Sequence, residues 1–392
     1  MDRPGSTAAL RQRNTQLVLD QVRASGGMVQ AEIARQTGLS AATVTNLVRN
    51  LAADGAVTCE TRSHNGRRAK WVAPADNGRH VLGVDIGRTH LRLALVDSAF
   101  RLVGEFSRRL ERGLASQDVL AMAGQAYETL LRDSDVAAGA VARAGVGVPG
   151  PIDQASGRIG ASSLLPEWSS IDLREAVSRV LGGLPVDVDN DGNLGALGEQ
   201  SWPPALESTS LFYVRLTTGI GGGLIVNGQL WRGADGTAGE IGHHSIDESG
   251  AICRCGNRGC LEAIASVPEF LTVLGKAVGR EVGPDDWVQL AKHGDITARR
   301  LLEDLARHLG AAVANIINIV NPTRVVVGGP ISAVGDILMG PLRAEVRQRA
   351  VPAATRSLRI EPARWGVRSE VYGAALMAMG GLADEGRVVY NS

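Results

Sequence analysis

The sequence predicts an α/β chain in two parts: a small helical head closed by a β-hairpin, and a larger body made of two similar halves. Three observations predict it. Residues 1–75 carry three short helical periodicities followed by two alternating runs. From Val81 apolar strands alternate with glycine turns and helices, and from Leu211 the same order starts again. A length of 392 residues also suits two or three compact units.

Composition narrows the class. With 44% hydrophobic and 21% charged residues the chain reads as globular, not disordered. Its 49 glycines and 4% aromatics favour tight turns and close backbone approaches over an aromatic-rich sandwich. The opening segment MDRPGSTAALRQRN has no apolar core of a signal peptide. The longest uncharged apolar run, Ala311 to Val320, is too short to span a bilayer. The expectation is a cytoplasmic protein without membrane contact. Its zero net charge hides an asymmetry: residues 1–80 hold eleven Lys/Arg against six Asp/Glu, which leaves +5 there and −5 on the remainder. A basic end on an acidic body suits docking on a phosphate backbone.

In the head, Gln16 to Ala24 carries Leu17, Val18 and Val22, and Gln30 to Gln36 turns Ala31, Ile33 and Ala34 inward. Gly38 breaks the second helix, and Ser40 stands at the N-cap of a third, Ala41 to Ala53, with Val44, Leu47, Val48 and Leu51 as its buried stripe. Val57 to Thr61 and Ala69 to Ala73 form strands around the tip Ser63-His64-Asn65-Gly66-Arg67-Arg68, and Pro74 to Gly78 reads as a linker. Helix, glycine turn, capped helix and a basic hairpin together make a winged helix-turn-helix that binds double-stranded DNA. Ser40, Ala41, Thr43, Thr45 and Asn46 lie where the third helix would meet base edges. Arg49, Arg67 and Arg68 suit phosphates or the minor groove. The alternative is a helical hairpin used only for packing.

In the body the expected strands are Val81–Ile86, Leu91–Val96, Ala144–Val148, Leu211–Leu216, Gly222–Val226 and Arg324–Val327. Helices are expected over Gln117–Leu131 and Arg299–Val320, the latter the longest. Three of the four cysteines fall in Cys253-Arg-Cys255-Gly-Asn-Arg-Gly-Cys260, ten residues after His243. Three thiolates and an imidazole complete a closed tetrahedral Zn²⁺ set with no open position, hence a structural metal, and Gly256 and Gly259 let the loop wrap it. A disulfide is the rival, disfavoured by a reducing compartment and by an odd number of thiols. Cys59, alone in the wing, reads as a small core residue.

Three glycine turns can present backbone N–H groups to phosphate: Asp85-Ile-Gly87-Arg-Thr89, Thr217-Thr218-Gly219-Ile-Gly221-Gly222-Gly223, and Val325-Val-Val-Gly328-Gly329-Pro330. Each is weak alone, because glycine turns between strands also arise for steric reasons. Between them, Val188-Asp189-Asn190-Asp191-Gly-Asn193 ends a strand and opens a helix, a frequent place for a general base.

Taken together these residues resemble the ROK family of repressors and sugar kinases, over essentially the whole chain. The most specific part is Glu240-x-x-His243 followed by Cys-x-Cys-Gly-x-x-Gly-Cys-Leu-Glu262. The resemblance implies a two-lobed actin-like body of the hexokinase class over residues 80–392, with one lobe near 80–190 plus the C-terminal helix and the other near 191–375. It implies sugar contacts from Asn190, Asp191, Glu240, His243 and Glu262, with Gly150 in the pocket wall and Asp191 as the base of any kinase. It also implies a homodimer or homotetramer and a sugar or sugar-phosphate effector. ATP with Mg²⁺ would sit at Asp85, Gly87, Thr89, Thr218, Gly219, Gly221, Gly328 and Gly329 if catalysis survives. Two departures favour a regulator over a kinase. Arg88 replaces the second glycine of the family's Asp-x-Gly-Gly-Thr turn, and Leu164 stands where the kinases carry a sugar-contacting Asn.

Overall fold

The computed structural model describes residues 7–64, 67–111, 113–153, 156–160, 168, 171–200 and 210–388. The head opens with α1 (Thr7–Ser25), then β1 (Met28–Val29), α2 (Gln30–Thr37), α3 (Ala41–Ala53), β2 (Val57–His64) and β3 (Arg67–Pro74). Val18, Val22, Ile33, Val44, Val48 and Val72 close its core. Ser40 caps α3 by accepting the Thr43 N–H at 3.1 Å, and Gly38 makes the left-handed turn before it at φ 69°. Two details differ from expectation. Ala31 is exposed, so Ile33 carries the packing of α2 with Ala34 partly buried. The wing strands are longer than the alternation implied, paired from Val57↔Pro74 to His64↔Arg67, and β1 adds a third strand beside β3. Asn65, Gly66 and the Arg67 side chain lie outside the described residues, as does the Leu164 segment.

The body begins with β4 (His80–Ile86), β5 (His90–Asp97), β6 (Leu102–Arg109), α4 (Ser116–Asp133), β7 (Val141–Val148), β8 (Ile152–Asp153), β9 (Arg158–Ile159), α5 (Leu173–Val180), β10 (Val186–Asn190) and α6 (Asp191–Gln200). It continues with β11 (Ser210–Leu216), β12 (Ile220–Val226), β13 (Gln229–Trp231), α7 (Leu261–Ala265), α8 (Val267–Val278), α9 (Pro284–Lys292), α10 (Ile296–Val320), β14 (Arg324–Gly328), α11 (Asp336–Arg349), β15 (Arg359–Pro362) and α12 (Ser369–Val388). The first sheet runs β10-β7-β4-β5-β6 and the second β15-β14-β11-β12-β13. In each, three antiparallel strands are followed by two parallel ones, so the restart at Leu211 is a repeated topology. Each lobe has its own apolar core, one under α4 and α5, the other under α8 to α11.

The helix that follows the last strand of each lobe, α6 and α12, packs against its counterpart between the two sheets. That crossing is close because it is made at glycines. A Cβ on Gly373 would run into the Leu194 carbonyl, and one on Gly198 into the Ser369 carbonyl. Gly373→Ala is therefore expected to cost about 1–3 kcal/mol by overpacking. Gly340→Ala, in open space on α11, should gain about 0.5–1 kcal/mol. Equal denaturation midpoints for the two variants would refute the seam as a tight contact.

Candidate functional site

On α3 the buried stripe Val44, Leu47, Val48 and Leu51 turns Ala41, Thr45, Asn46 and Arg49 outward; Ser40 is exposed beside them and Thr43 half-buried. The threonine hydroxyls are engaged locally, Thr43 with Ser40 at 2.8 Å and Thr45 with the Ala41 carbonyl at 2.8 Å. Asn46, Arg49 and Arg68 make no side-chain hydrogen bond or ion pair among the described residues, which leaves their polar ends on the surface.

His243, Cys253, Cys255 and Cys260 converge with their donor atoms all within 4.8 Å of one another. Cys253 Sγ lies 3.6 Å from His243 Nδ1, and the Cys255 and Cys260 sulfurs are 3.6 Å apart. A tetrahedral zinc with bonds of about 2.3 Å to S and 2.0 Å to N needs S···S edges of about 3.8 Å and S···N edges of about 3.6 Å. Both of these edges match that polyhedron, and the other donors lie within 4.8 Å. Gly256 and Gly259 adopt φ of 93° and 68°, which the tight loop requires. Burial, and then the crowded Cys255 and Cys253 thiols, push the Cys260 thiol up to about 12, whereas the Asn257 N–H holds Cys255 below the ordinary thiol value. Crowded sulfurs of this kind are relieved by a cation.

The same histidine faces a carboxylate cluster on its other edge, with Nε2 4.0 Å from Glu240 Oε2. Burial, reinforced by Asp191 and Glu262 and opposed by Arg254, raises the Glu240 carboxyl to about 7. Glu262 is fixed at the start of α7, accepting the Ile220 N–H at 2.9 Å and pairing with Arg254. Asn190 ends β10 and donates to the Gly150 carbonyl at 3.0 Å, while its Oδ1 caps α6 through the Gly192 N–H at 2.8 Å. Asp191, only 4% exposed, sits 3.0 Å from Arg215 Nη1. No N–H is aimed at its Oδ2, so this buried oxygen has a counter-charge but no hydrogen-bond donor. The structure thus brings Asn190, Asp191, Glu240, His243, Glu262 and Gly150 into one neighbourhood.

In the three glycine turns the glycines make room for groups of the protein itself. Gly221 to Gly223 belong to β12, paired with Arg215 to Tyr213, and only Thr217 to Gly219 form the turn. A Cβ on Gly223 would strike the Gly192 carbonyl of α6, so that glycine serves helix approach. In the other turns side chains of the protein lie where a Cβ would be. The His90 ring lies over Gly87, the Glu262 carboxylate and Arg254 over Gly219, and the Tyr213 hydroxyl against Gly328; Gly329 abuts the Leu216 carbonyl. Gly221 alone faces open space. Asp85 is fully buried and held by His90 Nε2 at 2.8 Å and Arg92 Nη1 at 3.1 Å. Burial raises its carboxyl, but His90, Arg92 and Arg215 together outweigh burial and hold it well below the usual range.

Sequence reasoning missed His90, Arg92, Arg215, Arg254 and Glu370. Arg215 pairs with Glu370 on α12 at 3.1 Å and donates to Thr217 at 2.9 Å, and the Tyr213 hydroxyl donates to Glu370 at 2.9 Å. One signal was available: a single charge inside the apolar strand Leu211–Leu216 demands a buried partner.

Comparison with known proteins fits this geometry. Residues 81–380 match the ROK family, and residues 14–68 match the MarR family. The chain belongs to the ROK family. A xylose repressor of Caldicellulosiruptor bescii is 30% identical over 390 residues, covering 96% of this chain and 97% of that protein. A glucokinase of Thermotoga maritima is 32% identical over 287 residues, covering 70% of this chain and 89% of that enzyme. The crystal structure of a ROK family transcriptional regulator, a homologue of the E. coli MLC protein, superposes with a TM-score of 0.72 at 25% identity, over 96% of this chain and 97% of that one. The fold is therefore a winged helix-turn-helix joined to the actin-like ROK body. Among the described residues no helix is long and apolar enough to cross a membrane.

Because its folded pKa is raised, Glu240 favours the folded state while protonated. That contribution is full below the ordinary value of 4.5 and is lost as pH rises through about 7. Glu240→Gln, which cannot ionise, should melt above the parent at about pH 8 and draw level near pH 4.5. A difference independent of pH would remove Glu240 as its source.

Proposed function

We propose that the protein is a transcriptional regulator whose head, residues 1–75, binds double-stranded operator DNA, and whose ROK cleft binds a small sugar or sugar-phosphate effector. The observation that carries this reading is coverage. The xylose repressor matches head and body together, whereas the glucokinase matches 70% of the chain. Base contacts fall to Asn46, with Ser40, Ala41, Thr43 and Thr45 around it; Arg49, Arg67 and Arg68 hold phosphates. In the cleft, Asp191 and Glu240 are the acceptors with capacity for sugar hydroxyls, flanked by Asn190, Glu262, His243 and Gly150.

The metal is Zn²⁺ in a structural role, held by His243, Cys253, Cys255 and Cys260. It fixes the His243 ring, and Arg254 within the same loop fixes Glu262, so both walls of the pocket hang from one clamp. Effector binding favours one arrangement of the lobes over the other, and only that difference in affinity reaches the DNA. A route to the head exists in the linker, which is tied to the first lobe by Asp76–Arg101 at 2.8 Å and by the Asn77 N–H donating to Ser98 at 3.0 Å. A homodimer or homotetramer places two heads on a pseudo-palindromic operator. The filled glycine turns and the ion-paired Asp191 speak against ATP-dependent sugar phosphorylation, the second reading.

Gel shifts on the upstream DNA of its own gene should show binding that a sugar or sugar phosphate weakens or strengthens. Asn46→Ala should cost about 1–3 kcal/mol and relax discrimination at one base position, whereas Arg68→Ala should weaken all sequences alike and lower the salt slope by about 1. ADP release on a hexose panel, abolished by Asp191→Asn, would replace the regulator with a kinase. Elemental analysis should find zinc in the parent and little in Cys255→Ser, with loss of the sugar response. A sugar response that survives metal loss would cut the clamp from the pocket.

A further inference from the structure

We infer that Arg215 is an internal counter-cation of the cleft: its guanidinium supplies the positive charge that lets Asp191 and Glu370 be buried together, and so frees the cleft from any need for a metal–nucleotide. This deepens the regulator reading and rests on it for the nature of the cleft ligand.

The geometry is that of a hub. Arg215 projects from β11 with 9% of its side chain exposed, Nη1 at 3.0 Å from Asp191 Oδ2 and Nε at 3.1 Å from Glu370 Oε1. Thr217 accepts from Nη1, and Tyr213 shares the Glu370 oxygen. Asp191 opens α6 and Glu370 stands in the first turn of α12, so one guanidinium ties together the two helices that cross between the lobes. Asp85 adds a third buried carboxylate to the same field, although His90 and Arg92 are its direct partners. Phosphoryl-transfer sites bring in this positive charge as a divalent metal with the nucleotide and keep the base free to take a proton. Here the cation is part of the strand, cannot leave, and holds the Asp191 carboxylate in an ion pair. The consequence concerns ligand class. The cleft then suits an uncharged or singly phosphorylated sugar, and a fixed guanidinium beside Asp191 opposes a divalent cation there.

The test is thermal melting of the full-length, zinc-loaded protein. Millimolar Mg²⁺, with or without ATP, should move the parent by less than about 1 °C, since only a ligand of the folded state raises melting. Arg215→Met should melt lower, lose further stability as pH rises from about 5.5 to 8, and regain several degrees in millimolar Mg²⁺ or Ca²⁺. Arg215→Lys keeps the charge and should keep the parent's indifference to metal. If Arg215→Met does not fold, the neutral triple variant Arg215→Met, Asp191→Asn, Glu370→Gln should fold, because the charges to be balanced are gone. A Mg²⁺-ATP shift in the parent, a folded Arg215→Met with unchanged pH and metal responses, or a triple variant no more stable than Arg215→Met would each overturn the inference. Melting shifts of the parent with sugars and operator DNA test the regulator reading separately, and their absence would leave the charge test standing.

Discussion

The rest of the body depends on how near α6 can come to α12. Each is the terminal helix of one lobe, and each would carry a bulky side chain into the other's backbone were it not for glycine at the crossing. The same requirement extends to the sheets, since Gly83 and Gly145 let β4 and β7 meet the carbonyls of Val371 and Ala374 on α12. Interior packing of this density transmits small displacements instead of absorbing them. A ligand that touches the N-terminus of α6 therefore acts on the joint between the lobes and not on a peripheral loop.

Burying charge at that joint has a cost that the local sequence must meet. Asp191 is raised first by burial and further by Asp85, with Arg215 opposing; Glu370 is raised to about 7 by burial against the same guanidinium. Arg215 itself is pushed down by burial and up, by more, through Asp191, Glu370 and Asp85. Arg215 stabilises the ionised form of each carboxylate and they stabilise its own, so the guanidinium is what lets the two acids be buried together. A second bridge joins Asp189 on β10 to Arg232 after β13 at 2.7 Å, so the end of β10 that precedes Asn190 and Asp191 is also tied to the other lobe. Ion pairs with little freedom to rearrange favour discrete lobe positions, which is what a switch read out on DNA requires.

Features whose physics is local were legible in the sequence. The cap at Ser40, the stripe on α3 and the loop from Cys253 to Cys260 each depend on neighbours within a few residues, and each stands where spacing put it. Of the glycine turns, the second is shorter than its sequence suggests, since Gly221 to Gly223 pair within β12, and one dimension left open whether such glycines serve phosphate or packing. A glycine that admits a phosphate and one that admits a side chain or a helix carbonyl look alike in one dimension, and at Gly87, Gly223 and Gly328 a ring, a carbonyl and a hydroxyl of the protein lie where a Cβ would be. The partners of Arg215 and Asp85 were out of reach for a different reason. Arg215 meets Glu370 across 155 positions of chain, so periodicity carries no trace of the pairing. Even there the strand Leu211–Leu216 advertised a buried charge without naming its partner.

The cysteine loop then explains how one site can serve two purposes. His243 presents Nδ1 to the cysteine cluster and Nε2 to the carboxylates, so a metal bound on one edge would leave an N–H donor on the other. Arg254, between two of the cysteines, crosses to Glu262 and lies over the Gly219 turn. The loop thereby shapes the pocket and closes the second glycine turn in the same stroke. A kinase and a regulator would need the first of these equally. On the regulator proposal the second, with His90 over Gly87 and Arg215 beside Asp191, suits a cleft that takes one ligand.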